Sequence, residues 1–429
     1  METLIRVYDL IKKGYKPCTD SRLANEKSIF FALKGENFDG NSFAKEVLEK
    51  GAKLAVCDNP QIDNLPGIVH VPNTLAFLQN LARHHREQLT IPIVGLTGSN
   101  GKTTTKELLQ AVLSKKFNTF ATQGNLNNHI GVPLSILSIN EQHQIAVIEM
   151  GANHIGEIEA LCSIAQPTHG LITNIGKAHL EGFGSFEGVK KAKTELYAFL
   201  AKTNGTVFVN SKNQILLECI NHFKLSNVIE YNNDLLSAEA DKPESNLLNL
   251  TIKANDTKSL INTQMAGEYN VENILAAICV GQFFNVSLEN CLDAISEYKP
   301  SNNRSQIVNT ANNTIVLDAY NANPTSMEVA LINFHSTPSK RPKALILGEM
   351  LELGKYSYEE HKRIFKQAST LFRNMYTVGE EYRDICKSTN WFKDVHSLKV
   401  YLREYPLKNH FILVKGSRGV KLEEVLEEL

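Results

Sequence analysis

The chain of 429 residues has no excess of either charge: 45 Lys and Arg face 46 Asp and Glu. It therefore offers no broad basic field to nucleic acid or an anionic membrane, and an anionic ligand must be held by local groups. No run of about 18 uninterrupted apolar residues exists, so no membrane-spanning helix is expected. The opening Met1-Glu2-Thr3-Leu4-Ile5-Arg6 lacks a basic stretch leading into an apolar one, so no secretory leader is expected and the cytoplasm is the expected compartment. Cys-x-x-Cys is missing. The seven cysteines (18, 57, 162, 219, 279, 291 and 386) are scattered and odd in number, which disfavours a disulfide framework or a zinc site and points to reduced core thiols. Internal repeats and low-complexity segments are also absent. What remains is ordinary globular composition, long enough for roughly three domains.

The expected fold class is α/β, in three domains. The first, over 1–90, reads as a small α/β unit with strands at 28–33, 54–57 and 67–71, a helix at 43–50 closed by Gly51, and a second helix at 74–88. Pro92 marks the next boundary. The central domain, 91–300, opens with a strand at 93–96, a glycine loop and a helix from 102 to about 115. Buried-type strands at 145–149 and 170–174 imply a mostly parallel sheet. Segments 247–252 and 260–263, joined by a turn at Asn255-Asp256, read as an antiparallel add-on, and a helix at 270–284 returns to the α/β style. After a polar linker, Lys299-Pro300-Ser301-Asn302-Asn303, strands at 315–318, 344–347, 375–378 and 411–414 alternate with helices over 301–429. That pattern predicts a Rossmann-like, doubly wound sheet.

The chemistry concentrates at Thr97-Gly98-Ser99-Asn100-Gly101-Lys102-Thr103-Thr104. A strand, a glycine turn and a helix opening with Lys-Thr form a cradle for a nucleotide triphosphate. Glycines let the backbone approach the phosphates, helix-start amides point at them, Lys102 adds charge, and the Thr103 hydroxyl can bind Mg²⁺. The strict pattern asks for a glycine at Leu96, so the spacing is a shorter variant. Glu149 ends an apolar strand at the carboxyl edge where open α/β sheets bind ligands, and its carboxylate suits Mg²⁺. His179 follows the next such strand. Taken alone, His179 reads more readily as a solvated or capping residue and Lys193 as a surface lysine, whereas a helix cap or strand-end charge is the weaker reading of Glu149.

Together these residues resemble the Mur ligases. The resemblance rests on the short-spaced loop, Glu149-Met150-Gly151-Ala152, and Thr173-Asn174-Ile175-Gly176-x-x-His179-Leu180-Glu181-Gly182. Three further segments resemble the branch that adds D-alanyl-D-alanine to UDP-N-acetylmuramoyl-tripeptide: Asp318-Ala319-Tyr320-Asn321-Ala322-Asn323-Pro324-Thr325-Ser326, Leu347-Gly348-Glu349-Met350-Leu351-Glu352-Leu353-Gly354 with His361 behind it, and Val414-Lys415-Gly416-Ser417-Arg418-Gly419. The Asp-Asn-Pro-Arg tetrad of the third-residue ligase is not found; Asp58-Asn59-Pro60-Gln61 lacks the arginine and reads as a turn.

The resemblance implies an ATP-consuming amide ligase of wall-precursor synthesis that works through an acyl phosphate. Lys102 would meet the β- and γ-phosphates. Thr103 and Glu149 would hold one Mg²⁺ and His179 a second, with Lys193 as a carbamate. Asn270 and Asn273 match a His-Asn-x-x-Asn motif near the adenine, with Tyr269 standing in for the histidine. Arg304 would reach the phosphates on closure and Asp318 the ribose. Tyr320, Asn321, Asn323, Lys415 and Arg418 would line the dipeptide side. For the UDP-sugar, Ser21 and Arg22 follow the family's Asp-Ser-Arg, Asn41 replaces a family histidine, and Asn127 and Asn128 lie in the loop that meets the muramoyl sugar and peptide. The implied partners are UDP-N-acetylmuramoyl-tripeptide and D-alanyl-D-alanine, with no nucleic acid or membrane, for a monomer. A P-loop kinase or GTPase would need no separate amine-acceptor domain, and a GTPase is further disfavoured because no Asn-Lys-x-Asp base-reading motif is present.

Overall fold

The computed structural model describes residues 1–62, 66–241, 246–301, 303–386 and 390–429; Asn302 of the polar linker lies outside these. Among the described residues, four sheets carry the architecture. The first is parallel, in the order β1 (Lys16–Cys18), β2 (Ser28–Phe31), β3 (Leu54–Cys57), β4 (Ile68–His70). Every residue of β2 and β3 is buried, as expected of parallel strands covered on both faces. The helix Glu2–Lys12 and the short β1 that follows it were not legible as elements in the sequence. The helix Thr74–Gln88 begins where expected because the Asn73 side chain accepts from the Ala76 amide at 2.7 Å, an N-cap.

The second sheet contains β5 (Ile93–Thr97), β6 (Thr119–Ala121), β7 (Ile145–Glu149), β8 (His169–Ile172), β9 (Thr206–Asn210) and β10 (Val228–Tyr231), in the order β10-β9-β8-β5-β7-β6. The antiparallel add-on has three strands rather than two: β11 (Leu236–Ala240), β12 (Asn249–Ala254) and β13 (Thr257–Asn262). The fourth sheet comprises β14 (Gln306–Asn309), β15 (Thr314–Asp318), β16 (Lys343–Gly348), β17 (Met375–Val378), β18 (Asn390–Phe392) and β19 (Phe411–Lys415), ordered β14-β15-β19-β16-β17-β18. It is doubly wound, as expected, but mixed: β14 pairs antiparallel with β15 at one edge. A core including Ile315, Leu317, Ile346, Val378, Ile412 and Val414 fills one of its faces.

The chain packs as two compact units. One comprises 1–96, 117–152 and 156–170; the other comprises 97–116, 153–155 and 171–429. In the first, the helix Thr74–Gln88 lies against the helices Gly131–Leu137 and Glu157–Ala165. The buried Arg86 guanidinium donates to Ala165 O (2.9 Å), Gln166 O (3.0 Å) and Leu89 O (2.8 Å), satisfying carbonyls that a helix end leaves without partners. In the second, the helix Lys102–Ser114 packs on the helices Asn270–Phe283 and Leu288–Glu297. All seven cysteines lie among the described residues and none is in a disulfide; six of them are buried. Among the described residues no helix is long and apolar enough to cross a membrane.

Candidate active site

The loop 97–104 sits between a fully buried strand and the helix Lys102–Ser114, with Gly101 as N-cap at φ 79°. Two glycines are required by crowding. A Cβ on Gly98 would strike Thr173 Oγ1, and one on Gly101 would lie 2.7 Å from Asn273 Oδ1. The loop is laced to the segment 173–176. Ser99 N donates to Asn174 O (2.9 Å), Asn100 N to Asn174 Oδ1 (3.0 Å), and Thr173 Oγ1 to Asn100 O (2.6 Å). Gly176 N donates to Ser99 Oγ at 2.9 Å, and the hydroxyl donates back to Gly176 O at 3.1 Å. The Thr-Asn-Ile-Gly signature is thus a brace that presets the loop's shape. Lys102 Nζ folds back onto Gly98 O (2.7 Å) and Ser99 O (3.3 Å). Thr103 is buried, its position at the helix start being where an anion meets aligned amides.

Asn270 and Asn273 are both buried and form a chain of side-chain bonds behind the loop. Asn270 Nδ2 donates to Ala266 O (2.8 Å), Asn273 Nδ2 to Asn270 Oδ1 (2.9 Å), and Thr105 Oγ1 to Asn273 Oδ1 (3.1 Å). Their recorded bonds tie the helix Asn270–Phe283 to the helix that begins at the loop. Tyr269, in the place of a histidine, bonds Ser305 Oγ at 2.7 Å; its burial and the nearby Asp318 charge push its phenol well above the usual value.

Glu149, 1% exposed at the end of β7, accepts from Asn127 Nδ2 at 2.8 Å, and its amide donates to Thr122 Oγ1 at 3.0 Å. Asn127 is therefore placed on the carboxylate, and Asn128 Oδ1 accepts from the Ile130 and Gly131 amides (3.1 and 2.9 Å) in the turn that leads into the next helix. At the expected UDP-sugar end, the exposed Arg22 forks onto Asp20 (2.9 and 2.6 Å), which draws that carboxyl down to about 2. Ser21 O accepts from Lys50 Nζ at 3.3 Å. Asn41 is buried and bridges Asp39 and Asp58 through its Nδ2 (2.7 and 2.9 Å) while accepting from the Asp58 amide. Asp58 also meets Lys34 (3.0 Å) and the Thr74 amide. Asp58-Asn59 thus leads into a short 3₁₀ turn, Pro60–Ile62, as the reading as a turn implies.

His179 stands at φ 51° as the N-cap of the short helix Leu180–Phe183. Its Nδ1 lies 2.5 Å from Glu352 Oε2, a close carboxylate contact that falls short of hydrogen-bond alignment. The histidine, followed by burial acting in the opposite sense, leaves the Glu352 carboxyl below its usual range. Phe183 stands between His179 (rings 6.3 Å apart) and Lys193, whose Nζ is 5.3 Å from the phenyl centroid. Lys193 is 1% exposed, so it is a buried lysine and not the surface one its sequence neighbourhood suggests when read alone. Glu352 escaped the sequence reading as a site residue, as did the Lys177 Nζ–Glu360 pair at 2.6 Å. Both depend on non-local contacts.

In the C-terminal domain, Asp318 and Lys415 face each other across β15 and β19 and pair at 2.5 Å, with Lys415 2% exposed. The sequence reading had assigned them to different ligands; the fold makes them partners. Lys415 Nζ also reaches Asn321 O at 3.5 Å, and Asn321 Oδ1 accepts from Ala322 N. The Tyr320 ring lies between two guanidinium groups, Arg304 at 3.7 Å and Arg418 at 5.4 Å. Arg304 Nε is buried without a hydrogen-bond partner, so that side chain retains an unused donor. Asn323 caps the helix Pro324–Ser336 in a reciprocal box with Ser326, and its Nδ2 donates to Asn100 Oδ1 at 2.7 Å. It thereby links the C-terminal turn to the glycine loop. His361 is buried, accepts from Met350 N at Nε2 (2.8 Å) and bonds Ser357 O through Nδ1 (2.8 Å), a structural imidazole whose protonation burial opposes.

Among the described residues, no group of three or more His, Cys, Asp or Glu side chains is gathered as a ready metal cage. Three family models match successive parts of the chain. Residues 18–86 match the Mur ligase family catalytic domain, 96–281 the Mur ligase middle domain, and 303–418 the Mur ligase glutamate ligase domain. The UDP-N-acetylmuramoyl-tripeptide–D-alanyl-D-alanine ligase of Bacillus subtilis is 34% identical over 425 residues, covering 96% of this chain and 92% of the relative. MurF from Acinetobacter baumannii superposes with a TM-score of 0.88 at 30% identity, covering 99% of this chain and 98% of that one. MurF from Thermotoga maritima, solved in complex with ADP, gives 0.86 at 28% identity, covering 98% and 97%. A nucleotide loop braced by its own signature segment, a C-terminal domain reaching that loop, and likeness over nearly the full length lead to one conclusion: the chain belongs to the Mur ligase family and is a ligase.

Proposed function

We propose that this ligase joins D-alanyl-D-alanine to the terminal carboxylate of UDP-N-acetylmuramoyl-tripeptide at the expense of ATP, through an acyl phosphate, in cytoplasmic synthesis of the peptidoglycan precursor. The observation that carries the reading is the Asn323–Asn100 bond, which joins the expected acceptor turn to the phosphate loop. A carboxylate is a poor acylating agent. Transfer of the γ-phosphoryl group to its oxygen creates a leaving group, and the dipeptide amine then displaces phosphate. The protein's share is orientation and charge neutralisation.

In this reading Lys102 leaves its loop carbonyls for the β- and γ-phosphates, while the amides of residues 97–104 cradle them. Asn270 and Asn273 set the adenine side, Asp318 takes the ribose, and Arg304 brings its unused donor to the phosphates. Tyr320, Asn321, Asn323, Lys415 and Arg418 hold the dipeptide; Ser21, Arg22, Asn127 and Asn128 hold the UDP-sugar peptide. The buried hydroxyl of Thr103 and the buried carboxylate of Glu149 are hard oxygen donors. Such a sparse set suits Mg²⁺, which keeps waters and phosphate oxygens as its other ligands. His179 would serve a second Mg²⁺, and Lys193, buried beside Phe183, would carry a carbamate whose anionic head suits that position. Bound Mg²⁺ supplies neutralisation of the triphosphate charge. The three functional segments are 1–90 for the UDP-sugar, 91–300 for ATP and 301–429 for ribose and dipeptide, in a monomer.

The test is phosphate release with ATP, Mg²⁺ and UDP-N-acetylmuramoyl-tripeptide, offering D-alanyl-D-alanine or single amino acids in turn. Release with the dipeptide alone is expected, and release only with a single amino acid would overturn the assignment. Lys102→Ala should abolish turnover in the same assay.

A further inference from the structure

The segment 177–184 is gripped by C-terminal residues at several points. Lys177 Nζ pairs with Glu360 at 2.6 Å, Lys177 N donates to Thr325 Oγ1 (3.1 Å), Glu181 N donates to Glu352 O (3.1 Å), and Tyr356 OH donates to Gly184 O (3.2 Å). At the middle of this grip lies the 2.5 Å contact of His179 Nδ1 with Glu352 Oε2. Both residues occupy the left-handed region, His179 at φ 51° and Glu352 at φ 63°. Neither is a glycine, and an L side chain is strained in such a backbone, so the surroundings must enforce it. The Glu181 amide, two residues beyond His179, donates to Glu352 O and ties the two segments at the same place.

We propose that Glu352 is a positioning residue for His179. The carboxylate brought by the C-terminal domain favours the proton on Nδ1 and leaves Nε2 as the ring's ligand atom. This follows from a general property of metal-binding imidazoles: the nitrogen that does not ligate donates to a carboxylate or carbonyl, which fixes both tautomer and ring direction. The inference rests on the reading of His179 as a ligand of the second Mg²⁺. It adds that this ligand is prepared only when the segment 349–354 is docked, so the ATP side is completed by the domain that brings the amine. A search for that residue in sequence alone fails because Glu352 lies 173 positions from the imidazole it serves.

Nitrogen NMR of histidine-labelled protein at pH 8, with His179→Ala to assign the signal, reads the tautomer directly without metal. The wild type should show His179 protonated on Nδ1; Glu352→Ala should lose that preference, and Glu352→Gln, which keeps an acceptor, should largely retain it. Mn²⁺ titration of the full chain with ADP, followed by electron paramagnetic resonance, gives the second readout. Glu352→Ala should weaken the weaker Mn²⁺ site by 10- to 100-fold, on the scale found for outer-shell carboxylates. A His179→Ala chain that binds Mn²⁺ like the wild type would remove the metal reading and the proposal with it. Loss of Mn²⁺ binding in His179→Ala, with an unchanged tautomer and unchanged binding in Glu352→Ala, would overturn the proposal while leaving the metal reading standing.

Discussion

Replacing Lys415 by methionine is expected to loosen the C-terminal sheet at its catalytic rim by an amount the structure allows to be worked out. Lys415 is 2% exposed and Asp318 keeps 17% side-chain exposure, so the pair is mostly desolvated. Removing one member of such a pair leaves a charge without its counter-ion, at a cost of about 3–5 kcal/mol when fully buried. Asp318 retains some water, so Lys415→Met should cost about 2 kcal/mol. Asp318→Asn leaves the better buried ammonium facing only neutral oxygens, the new amide's and the Asn321 carbonyl at 3.5 Å, and should cost about 3 kcal/mol. The double variant removes both charges and should return to within about 1 kcal/mol of the wild type, giving a large coupling energy in a double-mutant cycle. Hydrogen exchange read by mass spectrometry on peptides covering β15 and β19 is the suitable assay, because a chain of this size need not unfold in one step. A 2 kcal/mol loss corresponds to about 30-fold less protection. Additive effects of the two substitutions, or unchanged protection in Lys415→Met, would refute the reasoning.

Three further outcomes are expected. Asn323→Ala removes a helix cap and the bond to Asn100, together about 2 kcal/mol, whereas Asn323→Ser keeps the cap and should recover about half; thermal unfolding separates the two. Gly101→Ala forces a side chain into φ 79° and against Asn273 Oδ1, so it should cost about 2 kcal/mol and weaken ADP binding measured by calorimetry. His361 is held neutral by burial, so its folded value lies below its unfolded one. Its contribution is complete above the unfolded pKa and is lost as pH falls below it, because the unfolded chain then binds the extra proton. His361→Gln should therefore flatten the fall in melting temperature between pH 7.5 and 5.5, at a cost of about 2 kcal/mol at neutral pH if Met350 N loses its acceptor.

What the sequence made legible was local. The strand–glycine–helix run at 93–114, the Asn73-capped helix and the all-apolar strands are each set by short-range sterics, capping and burial, and their bounds agree within a residue or two. The short edge strands β14 and β18 were missed because edge strands carry little apolar signal. Roles that depend on register were also out of reach. Nothing near Asp318 announces that Lys415, 97 residues later, will face it, and nothing in Asp39-Gly40-Asn41 shows that the amide will bridge two aspartates. Lys193 reads as a surface residue because its neighbours Lys190 and Lys191 are charged, yet the helix turns it inward.

The relay from Asn174 through Asn100 to Asn323 consists of amides alone, while the flanking tie Lys177–Glu360 is ionic and Glu352 brings a carboxylate to His179. Salt and pH therefore act on one set and leave the other alone. In concentrated salt the grip on 177–184 should slacken while the neutral hinge-pin at Asn100 persists, leaving the C-terminal turn tethered to the phosphate loop but free to pivot about it.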